Sequence, residues 1–320
     1  MVHVDRPFQA TTYSTRMRES VKRISWRVLV PVGLAIRAVP NRHVQLALAD
    51  LVVRALRPQG SVTARLHAGF RMHLSVGDRF QAQMYVLRTY EPAATRLIEK
   101  LLKPGDTFVD GGANIGYFTL LGAVRVGAAG VVHCFEPVPV TVAALDANIV
   151  LNGFANVLRN QVALGESTAQ LSLEVPLDKR TGTAAYWGAT TVRMQRGASV
   201  NVAACTLDEY SAEKGLTNIK LVKLDLEGGE AAAVRGMHRL LSSHAIRYLV
   251  CECNPFLLGA AGLTFEVLQQ DLAAVGYRCF RLDHSGNPHL LEAPIESTDM
   301  AVTDYLFTAP STNTEQGGTR

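Results

Sequence analysis

The sequence predicts an α/β fold with a seven-stranded, mostly parallel sheet. Three observations support this prediction: strand-like apolar runs alternate with helical segments from residue 107 onward, a glycine-rich turn joins the first run to a helix, and no helix separates the last two runs. The chain has 320 residues, of which 48% are hydrophobic, so it can bury such a core. Because the last two strands are joined directly, we expect the last one to run antiparallel.

Helices are predicted between the first three strands, after the fourth strand at Glu227–Leu241 and after the fifth at Thr264–Val275. The predicted strands are Thr107–Asp110, Val131–Phe135, Val157–Leu164, Ile219–Asp225, Ile246–Cys253, Tyr277–Leu282 and Ala301–Phe307.

The first 60 residues are predicted to form a basic, amphipathic helical extension, since they hold ten Lys and Arg against three acids. Two interpretations stay open for residues 16–57: a helical subdomain with solvated arginines, or a face that contacts an anionic membrane. The apolar stretch 28–39 falls short of the roughly 20 residues of a membrane span. We expect no signal peptide and a cytoplasmic protein, which the membrane interpretation would place at the inner membrane face.

The rest of the chain divides into three further parts. Residues 61–90 are predicted to form a hairpin and lead-in, because strand-like alternation continues to Leu87. Residues 91–310 form the main domain, in which an insertion at 166–205 adds a hairpin beside the carboxyl edge of the sheet, where substrates enter. The polar tail 311–320 is predicted to be disordered.

Five cysteines are present, without the CxxC spacing of a zinc site. Most lie in apolar, strand-like runs. We therefore expect buried thiols in a reducing compartment and no disulfide framework.

A glycine-rich loop between the first strand and its helix is the first candidate binding site. Glycine permits positive φ and lets a ligand approach bare backbone at a helix N-terminus. The loop fits a dinucleotide fingerprint with alanine in the second glycine position, and also the pattern acid-x-G-x-G-x-G with asparagine as the middle glycine. The candidate cofactor-binding residues are Asp110, Gly111, Gly112, Ala113, Asn114 and Gly116.

Two later strand ends extend this candidate site. Glu136 follows the second strand, twenty residues after Gly116, where an acid can accept both ribose hydroxyls of NAD or of an adenosyl group. The third strand leads to Ala163, where we expect backbone contact with adenine.

The fourth strand ends in an acidic segment, Lys223 to Glu230. Asp225 is predicted to lie above the cofactor cleft, where a carboxylate can orient or deprotonate an acceptor hydroxyl. Glu227 starts the next helix, where the helix dipole favours acids, and Glu252 ends the fifth strand.

These segments together resemble the FkbM family of methyltransferases over residues 85 to about 255. The resemblance implies a class I methyltransferase Rossmann-like fold, S-adenosylmethionine as cofactor, and O-methylation of sugars, glycolipids or polyketide-type natural products. Asp225, by its predicted place at the strand end near the sulfonium, is also a candidate cofactor contact. Gly111 and Gly229 stand where bulkier small residues are common. The matching segments are Tyr90-Glu91-Pro92, Val109 to Tyr117, Phe135-Glu136-Pro137, Ala163-Leu164-Gly165 and Lys223 to Glu230.

Methyl transfer to an alcohol requires loss of the hydroxyl proton. The hypothesis is that Asp225, aided by Glu227 or Glu252, accepts or positions that proton. Asp225 and Glu227 are also oxygen ligands suited to magnesium, but their spacing is not diagnostic, and we predict no metal.

Three alternatives remain at this point. Cys253-Asn254-Pro255-Phe256 is similar to the motif by which other methyltransferases hold a target amino group, so N-methylation of nucleic acid or protein ranks second. No nucleic-acid partner is expected, because the positive charge lies mostly in the extension. The other two are a non-catalytic module that docks through its basic helices and an NAD-dependent dehydrogenase. The acceptor and the oligomeric state are not predicted.

Overall fold

The computed structural model describes residues 31–56, 60–176, 197–260, 264–292 and 302–310. The predictions for residues 1–30, for the tip of the insertion at 177–196 and for the tail at 311–320 lie outside these ranges.

Residues 31–37 are helical and precede the helices α1 (Arg42–Leu56), α2 (Arg79–Leu87), α3 (Pro92–Leu101), α4 (Tyr117–Val126), α5 (Pro139–Asn152), α6 (Leu207–Lys214), α7 (Glu230–Arg235), α8 (His238–Ser242), α9 (Pro255–Ala260) and α10 (Phe265–Ala274). The strands are β1 (Ser61–Arg65), β2 (Arg71–Ser75), β3 (Thr107–Gly111), β4 (Val131–Phe135), β5 (Val157–Asn160), β6 (Ala163–Leu164), β7 (Ala169–Pro176), β8 (Gly197–Cys205), β9 (Ile219–Leu224), β10 (Ile246–Cys253), β11 (Arg278–Leu282), β12 (Pro288–Leu290) and β13 (Thr303–Thr308).

The central sheet has the strand order β12-β11-β13-β10-β9-β3-β4-β5. The pairs from β10 to β5 are parallel, whereas β13 runs antiparallel to both β10 and β11. The predicted mostly parallel sheet with an antiparallel last strand is therefore confirmed, and the hairpin β1–β2 precedes it.

The sheet has eight strands where the sequence predicted seven. The additional strand, β12, forms a tight hairpin with β11. Asp283 stabilises the turn, because its Oδ1 accepts hydrogen bonds from the backbone N–H groups of Ser285 and Asn287. Gly286 in the same turn has φ +76°.

The third predicted strand divides into two. Only Val157–Asn160 pairs with β4, while Ala163–Leu164 leaves the central sheet and pairs with β8. The described parts of the insertion form the antiparallel pair β7–β8, so a three-stranded sheet β6-β8-β7 stands beside the central one.

The end of the lead-in, Arg79–Leu87, is helical where strand-like alternation was predicted to continue. Asp78 begins α2 as its N-cap, and its carboxylate accepts a hydrogen bond from the Gln81 N–H. The buried residues Ala82, Met84 and Val86 alternate in sequence, as they would in a strand. Here the cap and the packing of α2 decide the structure.

The helix predicted at 227–241 is two short helices, α7 and α8. Gly236 lies between them, and a Cβ at this position would lie 1.9 Å from the Gly165 carbonyl oxygen. The backbone at Gly236 therefore passes very close to the loop after β6. This close approach favours two short helices over one continuous helix.

Two apolar clusters cover the two faces of the central sheet. Val109 and Val222 belong to one cluster, and their neighbours Phe108 and Leu221 belong to the other. This arrangement follows from the alternation of side chains along a strand. The sheet is covered on both faces, and its carboxyl edge stays open for a site.

The described part of the N-terminal extension packs against α2. Ala49 and Val53 of α1 form a small apolar cluster with Ala82 and Val86 of α2. Among the described residues, no helix is both long and apolar enough to cross a membrane.

Candidate active site

The glycine-rich loop after β3 is held between two neighbouring strands. The N–H groups of Gly112 and Ala113 both donate to the Phe135 carbonyl oxygen, at 3.0 and 2.9 Å, and the Asp225 N–H donates to the Gly111 carbonyl oxygen at 3.0 Å. Gly112 has φ +80°, and a Cβ there would lie 1.9 Å from the Asp225 carbonyl oxygen. Glycine is therefore required at this position.

Glu136, the acid after β4, bonds back to the loop. Its Oε2 accepts a hydrogen bond from the Asn114 N–H and its Oε1 accepts one from the Val138 N–H, both at 3.0 Å. Burial raises the pKa of Glu136 to about 7, although the two backbone N–H groups act in the opposite direction. Each carboxylate oxygen retains a lone pair for a further donor.

A cavity of about 720 Å³ lies at the carboxyl edge of the sheet, and we call it the first cavity. Six of the predicted site residues line it: Gly112, Asn114, Glu136, Ala163, Asp225 and Glu227. The rest of its wall is formed by Tyr90, Phe135, Pro137, Thr141, Leu164, Leu173 and Leu226.

Five predicted residues lie outside this wall: Glu252, which belongs to the acidic cluster described below, and four residues in or beside the glycine-rich loop. Ala113 lines an adjoining cavity, Gly111 ends β3, and Gly116 begins α4 with φ +98°. Asp110 is 1% exposed, and its Oδ2 accepts a hydrogen bond from the Thr119 Oγ1 at 2.5 Å. Asp110 therefore joins the loop to α4 from beneath.

Lys223 forms the centre of an acidic cluster under the first cavity. Its side chain is 1% exposed, and its Nζ lies 3.0 Å from the Asp225 Oδ2 and 3.9 Å from the Glu91 Oε2. The ammonium also lies 4.3 Å from the centroid of the Phe118 ring. Burial alone would lower the pKa of Lys223, but the surrounding carboxylates, Asp225 foremost, keep it well above its usual value.

The carboxylates of the cluster differ in protonation. Burial favours the neutral form of Asp225, yet the Lys223 ammonium and a hydrogen bond from Glu252 bring its pKa below the usual value. Burial raises the pKa of Glu252 well above its usual value, and the Asp225 charge adds to this effect. Asp225 is therefore ionised, and a protonated Glu252 donates to it.

Glu227 lines the first cavity near this pair. Burial raises its pKa to about 8, and the negative charges of Asp225 and Glu230 contribute to the same effect. Its φ of 51° is left-handed, a strained conformation for a non-glycine residue. The neighbouring Glu230 differs from Glu227 in its hydrogen bonds, because its carboxylate accepts bonds from the N–H groups of Leu226 and Gly228.

Two residues of the site had no assigned role in the sequence. Tyr90 lines both cavities, and Glu91 adopts φ 33° at the start of α3, which brings its carboxylate to Lys223. Their only signal was the segment Tyr90-Glu91-Pro92, which matched the family without indicating a function.

Carboxylate oxygens of Glu91, Asp225 and Glu252 lie within 4.8 Å of one another, a spacing that a metal ion could bridge. The Lys223 ammonium already pairs with two of these side chains. This ammonium supplies positive charge that a metal would otherwise bring, which favours the prediction of no metal. The absence of a metal stays a prediction.

The sheet order, the glycine loop and the acid after β4 define a class I methyltransferase, whose methyl donor is S-adenosylmethionine. Residues 110–279 match the family model described as the methyltransferase FkbM domain, and the chain belongs to this family. The family predicted from the motifs is thereby confirmed, and the NAD-dependent dehydrogenase is excluded.

Two curated relatives are similar in sequence. The 31-O-demethyl-FK506 methyltransferase FkbM of Streptomyces tacrolimicus is 27% identical over 214 residues, which cover 59% of this chain and 77% of the relative. Methyltransferase 1 of Beauveria bassiana (strain ARSEF 2860) is 30% identical over 149 residues, which cover 42% of this chain and 59% of that protein.

Solved structures that match include an S-adenosylmethionine-dependent O-methyltransferase from Thermotoga maritima, at 12% identity and a TM-score of 0.40, with 82% of each chain covered. An rRNA methylase from Streptococcus thermophilus matches at 10% identity and a TM-score of 0.39, covering 68% of this chain and 95% of the other.

Gly112→Ala should destabilise the protein much more than Gly105→Ala. Both glycines have positive φ, so each substitution should cost about 1–2 kcal/mol in backbone strain. Only at residue 112 does the new methyl group meet the Asp225 carbonyl, whereas no atom lies within 4 Å at residue 105. We expect a further loss of about 1–3 kcal/mol in the free energy of unfolding. Denaturant unfolding measures both, and equal losses would contradict the close approach.

Cofactor affinity should decrease below pH 7 because of Glu136. The ionised carboxylate is the stronger acceptor for ribose hydroxyls, and the pKa of Glu136 is raised to about 7. Its protonation should weaken binding of S-adenosylhomocysteine by up to about tenfold per pH unit. Titration calorimetry from pH 6 to pH 8 measures this. In Glu136→Gln the affinity should be lower at pH 8 and this pH dependence should disappear; an unchanged slope would exclude Glu136 as its source.

Proposed function

We propose that this methyltransferase transfers the methyl group of S-adenosylmethionine to a hydroxyl oxygen of a small-molecule, sugar, glycolipid or natural-product acceptor. The supporting observation is the pair of carboxylates, Asp225 and Glu227, that lines the first cavity with opposite pKa shifts. An alcohol must lose a proton during methyl transfer, and a carboxylate with a raised pKa is suited to accept it.

In the proposed reaction, Glu227 is the base and Asp225 is the group that orients the acceptor. Glu227 takes the hydroxyl proton, the alcohol oxygen forms a bond to the methyl carbon, and the bond from that carbon to sulfur breaks. The sulfonium becomes the neutral thioether S-adenosylhomocysteine. Asp225, ionised and fixed by Lys223, accepts a hydrogen bond from the acceptor and stabilises the adjacent sulfonium.

Glu252 acts through Asp225 in this scheme, because it does not belong to the cavity wall and donates a hydrogen bond to the Asp225 carboxylate. It is a positioning residue. The sequence hypothesis named Asp225 as the proton acceptor aided by the other two, and the opposite pKa shifts favour giving the proton to Glu227.

The cofactor contacts are proposed along the same wall. Glu136 accepts hydrogen bonds from the ribose hydroxyls, and the backbone at Ala163 contacts adenine. Gly112 and Asn114 lie along the part of the cofactor that connects the ribose to the amino-acid end. Asp110, Gly111 and Gly116 support the loop from below.

Oxygen is favoured over nitrogen as the methyl acceptor by the position of Asn254. Its Oδ1 accepts hydrogen bonds from the backbone N–H groups of Phe256 and Leu257, at 3.1 and 3.4 Å, and so caps α9. It is not among the wall residues of the first cavity. The Streptomyces relative supports the same choice, because its name specifies an O-demethyl acceptor.

Methyl transfer itself tests the proposal. Extracts of metabolites and lipids from cells that lack the gene are incubated with the purified chain and S-adenosylmethionine. We expect a product heavier than its precursor by about 14 Da, one CH₂ unit. Nuclear magnetic resonance of the product should place the new methyl group on oxygen. A methyl group on nitrogen would contradict the proposal, and binding of S-adenosylmethionine without any product would favour the non-catalytic alternative.

Glu227→Gln should reduce the rate constant of methyl transfer by about 10²–10⁴-fold with little change in S-adenosylhomocysteine affinity, because it removes a proton acceptor. In the wild type, the rate should increase with pH and level off above about pH 8, the pKa at which Glu227 is half ionised, and this rise should be absent in the variant. Asp225→Asn should also abolish turnover, but it leaves the buried Lys223 without its closest partner and should lower stability as well.

Glu213→Gln is the matched control, because Glu213 is exposed and pairs only with Lys214 among the described residues. Near-normal turnover in Glu227→Gln would exclude this residue as the base.

Removal of divalent metals should leave the activity unchanged. The Lys223 ammonium already pairs with Glu91 and Asp225, two of the three carboxyl groups that could hold a metal. The measurement compares initial rates with and without EDTA. Loss of activity that magnesium restores would identify this cluster as a metal site.

A further inference from the structure

A second cavity adjoins the first at the glycine loop. It spans about 490 Å³, part of which is open to solvent, and it shares Tyr90, Gly112, Asn114 and Asp225 with the first. The shared wall is therefore the glycine loop on one side and the ion-paired Asp225 on another. A ligand that fills the first cavity can continue along this wall into the second.

The second cavity contains one buried carboxylate beyond the shared wall, that of Asp78. The residue is 3% exposed. Its Oδ1 accepts a hydrogen bond from the Gln81 N–H at 2.9 Å, whereas its Oδ2 is buried and has no hydrogen-bond partner among the described residues. An unpaired buried carboxylate oxygen is costly, and a bound cation or donor would satisfy it.

The remaining new wall of the second cavity is largely apolar or aromatic, with Phe80, Met84 and Ile115 among its residues. Tyr117 also lines it, but the Tyr117 hydroxyl already bonds to the hydroxyls of Thr89 and Thr95. The Asp78 Oδ2 therefore has no nearby protein cation in this wall, and a positively charged ligand group fits it best.

The arrangement of the two cavities indicates which part of the reaction enters the second one. Glu227, the proposed base, lines the first cavity and not the second. The acceptor hydroxyl must lie at Glu227, so the second cavity is left for the part of the cofactor beyond the sulfonium. That part is the methionyl chain, which ends in an α-ammonium and a carboxylate.

We propose that Asp78 binds the α-ammonium of the methionyl group of S-adenosylmethionine through its Oδ2. This inference rests on the proposed function, since it uses the position of the base. It also means that an acid outside the glycine loop binds the amino-acid part of the cofactor. Asp110, a cofactor-binding candidate from the sequence, accepts a hydrogen bond from Thr119 and lines neither cavity.

Asp78→Asn tests the interaction with little effect on the helix. Asparagine is as good an N-cap as aspartate, so α2 keeps its cap while the charge is lost. Three ligands are titrated into the full chain: S-adenosylhomocysteine, its analogue with hydrogen in place of the amino group, and 5′-methylthioadenosine, which lacks the amino-acid part. The variant should bind S-adenosylhomocysteine at least about tenfold more weakly. The other two ligands should bind to the variant as they do to the wild type.

Asp50→Asn is the matched control. Asp50 also contacts α2, through Arg79 and Gln83, but it is not part of either cavity wall. Its loss should leave the affinity for all three ligands unchanged. Thermal unfolding without ligand should show that the Asp78 variant is folded and about as stable as the wild type.

The other results would overturn the inference. Equal weakening of all three ligands would indicate a structural role of Asp78. An unchanged S-adenosylhomocysteine affinity with a raised acceptor KM would assign the second cavity to the acceptor. No binding of S-adenosylhomocysteine by the wild type would remove the proposed function together with this inference, whereas binding that is insensitive to Asp78→Asn would remove this inference alone.

Discussion

One buried ammonium, that of Lys223, holds the candidate active site together. It lies at the end of β9, is 1% exposed, and contacts carboxylates from two directions, Asp225 after its own strand and Glu91 at the start of α3. Removal of one partner from a buried ion pair costs about 3–5 kcal/mol. The cluster therefore fixes the lead-in to α3 against the carboxyl edge of the sheet. The strained φ of Glu91 is explained by this contact.

The single lysine cannot neutralise every acid around it, and this excess of carboxyl groups determines which of them are protonated. Asp225, the closest acid, is ionised, and the protonated Glu252 donates a hydrogen bond to it. Burial raises the pKa of Asp304, the cross-strand neighbour of Glu252, to about 6. Graded protonation of this kind is what a site needs if one carboxylate is to hold charge and another is to exchange a proton.

The sequence predicted the parts of this site that depend on local pattern. The strands of the parallel sheet are continuous apolar runs, the glycine loop follows the first of them, and the acids stand at strand ends, so Gly112, Glu136 and Asp225 could be named as candidates, and the fold brings them to one cavity. The parts that it did not predict depend on packing. Glu91 reaches Lys223 only because α3 is placed beside β9, and Asp78 faces a cavity only because the segment after it is a helix packed on α1.

The sequence signal for Asp78 was present but ambiguous. An aspartate three residues before Gln81 is a common N-cap, while the alternation of Ala82, Met84 and Val86 favours a strand. Alternation was the wrong guide because α1 covers Ala82 and Val86, whereas Met84 contributes to the second cavity. The helix therefore has apolar partners on two sides, and its apolar residues do not show the helical period in the sequence.

The charges of the proposed complex balance before and after the reaction. The cofactor enters with a positive sulfonium and a positive ammonium, and the carboxyl groups of Asp225 and Asp78 lie on the walls that would receive them. Methyl transfer removes the sulfonium charge, and the hydroxyl proton neutralises Glu227 in the same event. The net charge of the cleft is thus unchanged by the chemistry, although its distribution changes. The Asp225 carboxylate stays paired with Lys223 but loses the attraction of the sulfonium, so the thioether product should be held less strongly there, while the amino-acid end stays bound through Asp78 until the product leaves.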